Sequence, residues 1–105
     1  MSNNLDERIL KSIVRALENI GTGVSSVSFY QFKTETGLDP SAIPRNMDVF
    51  KTALSMFFGV GYKFVVANIR EELRKDFQLS NLASDDLTEI VAFIRQKTLR
   101  ESLTS

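Results

Sequence analysis

The apolar positions of this chain recur at helical spacing along most of its length. In the first stripe the members lie three or four residues apart and Gly21 follows as a stop signal: Leu5, Ile9, Ile13, Leu17 and Ile20. This stripe predicts a helix over residues 5–20. Further stripes predict helices over residues 26–36, 47–58, 61–77 and 85–100. Because the connections are short, the pattern indicates a compact all-α domain of five helices spanning residues 1–105 as one unit.

The segment over residues 24–36 is ambiguous. Alternation at positions 27, 29 and 31 is typical of a strand, whereas Val27, Tyr30 and Thr34 keep helical spacing. A helix is favoured, because Ser25 or Ser26 can cap it and no second convincing strand exists to pair with it.

The densest apolar run, residues 56–66, contains two glycines two positions apart. Glycine adopts positive φ without penalty and carries no Cβ, so the pair predicts a tight link between the two central helices. We expect Gly61, and to a lesser degree Gly59, to occupy a conformation or close contact that a side chain would disturb.

The two central helices supply the expected core. Their shared stripe consists of Phe50, Leu54, Phe58 and Ile69. Residues 64–69 are apolar nearly all round, which is typical of a helix buried between others.

Composition excludes several kinds of chemistry. The chain has 105 residues, 43% of them hydrophobic, and contains no Cys, His or Trp. Disulfides, thiolate or imidazole metal sites and Ser-His or Cys nucleophiles are therefore impossible within one chain. Thirteen basic residues balance thirteen acidic ones, and each half of the chain is also balanced, which disfavours a nucleic-acid partner.

Two local motifs suggest ligands, but simpler interpretations are stronger. Gly59 and Gly61 do not fit a dinucleotide fingerprint, because the position for a third glycine is Phe64. Asp85, Asp86 and Glu89 are acidic residues in a first helical turn, where the helix dipole alone favours them. We therefore expect no catalytic residue, cofactor or metal.

A DNA-binding helix-turn-helix regulator is the alternative function. It is favoured by the helix ending at Thr36, the turn at Gly37 and an apolar residue at Ile43. Pro40 and Pro44 argue against it, because Pro44 would end the second helix after a single turn.

The segments that would indicate a membrane or export are not evident. No run of about 18 apolar residues lacks a charge, and residues 1–7 lack the basic start and apolar centre of a signal peptide. We therefore expect a cytoplasmic protein that has no membrane partner.

The aromatic content exceeds what a core of this size requires. Eight aromatic residues lie within residues 29–64. We expect part of this excess, namely Tyr62 with Phe29 or Phe32, to form an exposed patch that binds a partner protein or a second copy of the chain.

Residues 24–79 carry a pattern of apolar and glycine positions: Tyr30, Gly37-Leu38, Ile43-Pro44, Phe50, Leu54, Phe58-Gly59-Val60-Gly61, Ile69 and Leu73. This pattern resembles a small archaeal family of signalling modules, the Nitrosopumilus output domains of the fifth type. It covers about half of the chain. It implies a binding or regulatory role and no catalytic residue, so we expect a non-enzymatic regulatory interaction domain.

Overall fold

The computed structural model describes residues 4–80 and 84–104 and confirms a single all-α domain. The elements are α1 (Asn4–Ile20), α2 (Val24–Thr36), a first 3₁₀ helix (Pro40–Arg45), α3 (Met47–Phe58), a second 3₁₀ helix (Gly59–Gly61), α4 (Tyr62–Asp76) and α5 (Leu87–Thr104). The five predicted helices are all present, and α3 agrees at both ends. No strand occurs among the described residues, so the ambiguous segment is a helix.

The core lies where the helix faces meet. Helix α1 packs along α4 and α2 packs on α3, while α5 contacts both α3 and α4. The largest fully buried side chains come from every α-helix and from the first 3₁₀ helix: Ile9, Ile13, Leu17, Phe32, Ile43, Phe50, Leu54, Ile69, Leu73, Leu87, Ile90 and Ile94. One continuous core therefore holds the domain together.

Three of the four predicted core residues of the central helices are confirmed. Phe50, Leu54 and Ile69 are buried, but Phe58 is only partly buried and packs against the edge of the core. Phe58 is the last residue of α3. At that position the chain turns into the second 3₁₀ helix, so the ring is enclosed on one side only.

Helix α2 begins at Val24, and the predicted caps Ser25 and Ser26 lie inside it. The acceptor for its first N–H groups is the side chain of Glu18 near the end of α1. This carboxylate accepts from the backbone N–H of Gly23 (3.1 Å), from that of Ser25 (2.9 Å) and from the Ser25 hydroxyl (2.7 Å). A carboxylate at a helix N-terminus also has favourable interaction with the helix dipole. Glu18 thus fixes the turn between α1 and α2.

These hydrogen bonds give a testable pH dependence. The backbone N–H of Ser25, then its hydroxyl and the Gly23 N–H, lower the pKa of Glu18. The folded state therefore binds this proton less readily than the unfolded state, and the stabilisation present at neutral pH is lost as the pH falls through the folded pKa. We expect the urea unfolding midpoint of Glu18→Gln to be lower than that of the parent at neutral pH. As the pH falls below about 4, the midpoint of the variant should decrease less than that of the parent.

The matched control is Glu35→Gln, which removes an exposed carboxylate from α2 without touching the cap. Parallel midpoint curves for the parent and Glu18→Gln across the acidic range would refute the role assigned to this carboxylate.

Polar contacts join α1 to its neighbours. Asp6, which is largely buried, pairs with Arg45 of the first 3₁₀ helix (2.7 Å) and with Arg95 of α5 (2.6 Å). Further along α1, Arg15 Nη1 lies 2.5 Å from Oδ2 of Asp76 in α4. The Ser12 hydroxyl donates to the same carboxylate oxygen (2.5 Å). These contacts fix how α1 lies on α4 and hold α5 at the first 3₁₀ helix.

Candidate functional site

The two acidic residues just before α5, Asp85 and Asp86, make structural contacts, and Glu89 in its first turn is exposed. Asp86 accepts from Lys51 of α3, and this hydrogen bond raises the pKa of Lys51. Asp85 lies 3.8 Å from Arg70 of α4. Within residues 4–80 and 84–104, no group of three or more metal-ligating side chains is arranged to hold a metal ion. The turn that contains Asp86 therefore joins α5 to α3 and α4.

The proposed helix-turn-helix segment has a different structure. The residues after the turn at Gly37 form the six-residue 3₁₀ helix Pro40–Arg45, with Pro44 inside it. Ile43 and Pro44 are buried. This segment connects α2 to α3 and contributes buried side chains to the core. It is too short to serve as a recognition helix in a DNA groove.

The predicted aromatic surface is wrong for Phe32, whereas Phe29 and Tyr62 are only partly exposed. Phe32 is fully buried and packs edge to face on Phe50, with ring centroids 5.9 Å apart. Phe29 contacts the same ring at 6.4 Å and is partly buried, and Tyr62 also packs partly against the core. The side of α2 that carries Phe29 and Phe32 faces α3, so these rings complete the core.

Four exposed apolar side chains lie around the junction of α3 and α4, and others lie elsewhere, including on α2 and α5. Met56 is 62% exposed, Phe57 41% and Phe64 63%, while Val60 is fully exposed. We call these four residues the junction surface. A side chain as exposed as Val60 must protrude, because neighbouring residues would otherwise shield part of it. Part of the aromatic excess is therefore exposed, namely Phe57 and Phe64 at the junction and Tyr30 on α2.

Gly59 creates the break that presents this surface. Its φ of 56° and ψ of −120° are values that residues with a Cβ rarely adopt. Gly61 has an ordinary φ of −82°, and a Cβ added to it would meet no heavy atom within 4 Å. The prediction that Gly61 is the more constrained glycine is wrong, because the change of chain direction occurs at the end of α3.

The junction surface has no acidic residue in its own stretch of chain. Residues 49–70 contain Lys51, Lys63 and Arg70 but neither Asp nor Glu. Lys51 and Arg70 pair with Asp86 and Asp85, whereas Lys63 is exposed beside Phe64. The surface is therefore apolar, with Lys63 at one edge and Asp48, which lines a groove together with Met56, at another.

The segment Met47–Asp76, which comprises α3, the second 3₁₀ helix and α4, is long and apolar enough to cross a membrane by length and composition alone. Only 22% of its most apolar window is buried in the domain. The expectation that the first half of α4 is buried between other helices is wrong, because Val65 and Ile69 are buried in the core while Phe64 is exposed.

Sequence reasoning missed Met56, Val60 and Phe64 as surface residues, although a signal was present. A helix that is apolar all round carries more apolar side chains than one buried face can take. Such a helix is either enclosed or leaves part of its apolar surface exposed, and only the packing distinguishes the two cases.

Comparison with known proteins adds no relative. No family model, no curated protein and no solved structure gives a significant match to this chain.

Proposed function

We propose that this chain is a non-enzymatic, regulatory interaction module that binds a partner protein through the junction surface. The observation that carries the proposal is the protrusion of Met56, Phe57, Val60 and Phe64 from a domain whose core is already complete. Exposed apolar clusters on small soluble domains commonly mark interaction sites. Covering a side chain as exposed as Val60 would contribute about 1.5–3 kcal/mol, and covering the three that are already partly buried would contribute correspondingly less.

The composition of the surface suits a protein partner. Met and Phe are enriched in the cores of protein interfaces, and the flexible side chain of Met adapts to different neighbours. Lys63 at the edge favours a partner with an apolar pocket and an acidic rim.

The resemblance to the Nitrosopumilus output domains supports a regulatory role. Its pattern includes Phe58-Gly59-Val60-Gly61, which is the turn that presents the junction surface. A conformation that glycine favours at this turn would then serve binding as well as folding.

A photoreactive benzoylphenylalanine at Val60, expressed in the organism that encodes the chain, tests the proposal. We expect one discrete adduct with another protein at this position. The matched control places the same probe at Tyr30, an exposed aromatic position on α2, and should give no such adduct. Adding Met56→Ser to the Val60 probe should reduce the adduct several-fold, because it removes a neighbouring contact.

Three outcomes would overturn the proposed protein partner. They are an adduct with lipid alone, an adduct with a second copy of the chain alone, and equal labelling from Val60 and Tyr30. Co-sedimentation of the protein with anionic vesicles would identify the first of these as membrane binding.

A further inference from the structure

Helix α5 carries a second exposed stripe, on the side opposite its buried face. Ala92, Gln96, Leu99 and Leu103 follow one another at spacings of four, three and four, and all four are exposed. At about 100° per residue they lie within roughly 60° of one another around the helix. Leu99 and Leu103 are 61% and 77% exposed. This spacing is that of the contact positions of a coiled coil.

We infer that this stripe pairs with the same stripe of a second copy of the chain, with the two α5 helices antiparallel about a two-fold axis. In this register Ala92 faces Leu103 of the second copy, and Gln96 faces Leu99 of the second copy. The midpoint of residues 92 and 103 and the midpoint of residues 96 and 99 both fall between residues 97 and 98. A single two-fold axis at that point therefore generates both pairs. Each leucine then meets a smaller or polar residue, and Gln96 near the axis favours this register over others.

Charge also favours the antiparallel arrangement. The last turn of α5 contains no basic residue, and its Glu101 pairs with Lys97 one turn earlier (3.0 Å), so the helix end keeps the partial negative charge of its dipole. At the other end of the stripe lies a groove lined by Val49, Val91 and Ala92, with Arg45, Arg95 and Asp48 also lining it. The two arginines share the single carboxylate of Asp6, so this group of three keeps one positive charge. In the proposed register the end of each α5 lies beside these two arginines of the other copy. A parallel pair would instead bring two negative helix ends together.

The two arginines are held in place for this contact. Both pair with Asp6, and Arg95 also donates to the carbonyl oxygen of Pro44 (3.0 Å). The side chain of Arg45 remains 59% exposed. The groove beside Ala92 can then receive Leu103 of the second copy, and the two-fold axis repeats this contact at the other end.

This self-association goes beyond the proposed function, because it uses α5 and leaves the junction surface uncovered. The two proposals therefore fail independently. Val60→Asp changes only the junction surface, and Leu99→Asp changes only the stripe.

Sedimentation equilibrium of the full chain over a wide concentration range is the first test. We expect a monomer–dimer equilibrium in the parent. Leu99→Asp should raise the dimer Kd by roughly tenfold or more, because it places a charge at the centre of the contact. Val60→Asp should leave the Kd unchanged. A parent that is monomeric throughout, or a dimer lost in Val60→Asp and retained in Leu99→Asp, would overturn the inference.

Engineered cysteines test the register, and the natural chain contains none that would interfere. The double variant Ala92→Cys with Leu103→Cys should form a covalent dimer under mild oxidation. Leu103→Cys alone should not, because the two copies of residue 103 would lie about 16 Å apart along the axis, too far for a disulfide. Efficient cross-linking of Leu103→Cys alone, or none in the double variant, would contradict the antiparallel pair.

Discussion

Replacing Phe50 by alanine is expected to lower the free energy of unfolding by about 3–5 kcal/mol. Phe50 is fully buried and meets Phe29 and Phe32 in edge-to-face contacts with centroids 6.4 and 5.9 Å away. Truncation would remove apolar burial, leave a cavity between α2 and α3 and break both ring contacts. Such a loss is a large part of the roughly 5–15 kcal/mol that stabilises a small domain. Urea denaturation measures it directly.

Phe57→Ala is the matched control, because it makes the same substitution in α3 at a ring that is 41% exposed. We expect it to cost less than about 1 kcal/mol, with Phe58→Ala falling between the two. Equal losses for Phe50→Ala and Phe57→Ala would show that the face of α3 assigned to the core is wrong.

Alanine substitutions at the two junction glycines should have different effects on the free energy of unfolding. Gly59→Ala should destabilise by about 1–3 kcal/mol, since its backbone conformation is nearly restricted to glycine. Gly61→Ala should be neutral or stabilise by up to about 1 kcal/mol, because its φ is ordinary and the added methyl has open space.

Thermal and urea unfolding of the two variants side by side checks this pair. Stabilisation by Gly59→Ala would mean that the chain does not need positive φ at the end of α3. A large loss from Gly61→Ala would restore the original expectation that the second glycine is the constrained one.

The helices could be predicted from sequence because their signals are local. The stripe of α1 requires only that residues three or four apart share a face, and the bounds predicted for α3 agree with the structure at both ends. Phe50, Leu54 and Ile69 were assigned to the core on the same basis. The alternation at positions 27, 29 and 31 of α2 is typical of a strand, but the sequence offers no convincing second strand to pair with it. The predicted helix is confirmed.

The interaction surface could not be assigned from sequence in the same way. Counting aromatic residues correctly indicated an excess, but the count does not say which rings a neighbouring helix covers. Phe32, one of the two rings expected beside Tyr62 at the surface, is buried against Phe50. Phe64, which lies in the half of α4 expected to be buried, is exposed. When a helix is apolar all round, the spacing of its apolar residues does not indicate which of its faces is buried.

The all-α class, the five helices and most of the core therefore follow from the amino-acid sequence, because hydrogen bonding and side-chain spacing within a helix are local properties. Three features depend on the packing of the helices: Glu18 caps α2, Gly59 has the unusual backbone conformation, and the junction of α3 and α4 exposes apolar side chains. Each of these depends on how one helix lies against another. That arrangement is set by the packing of the whole core, and no single segment of the chain specifies it.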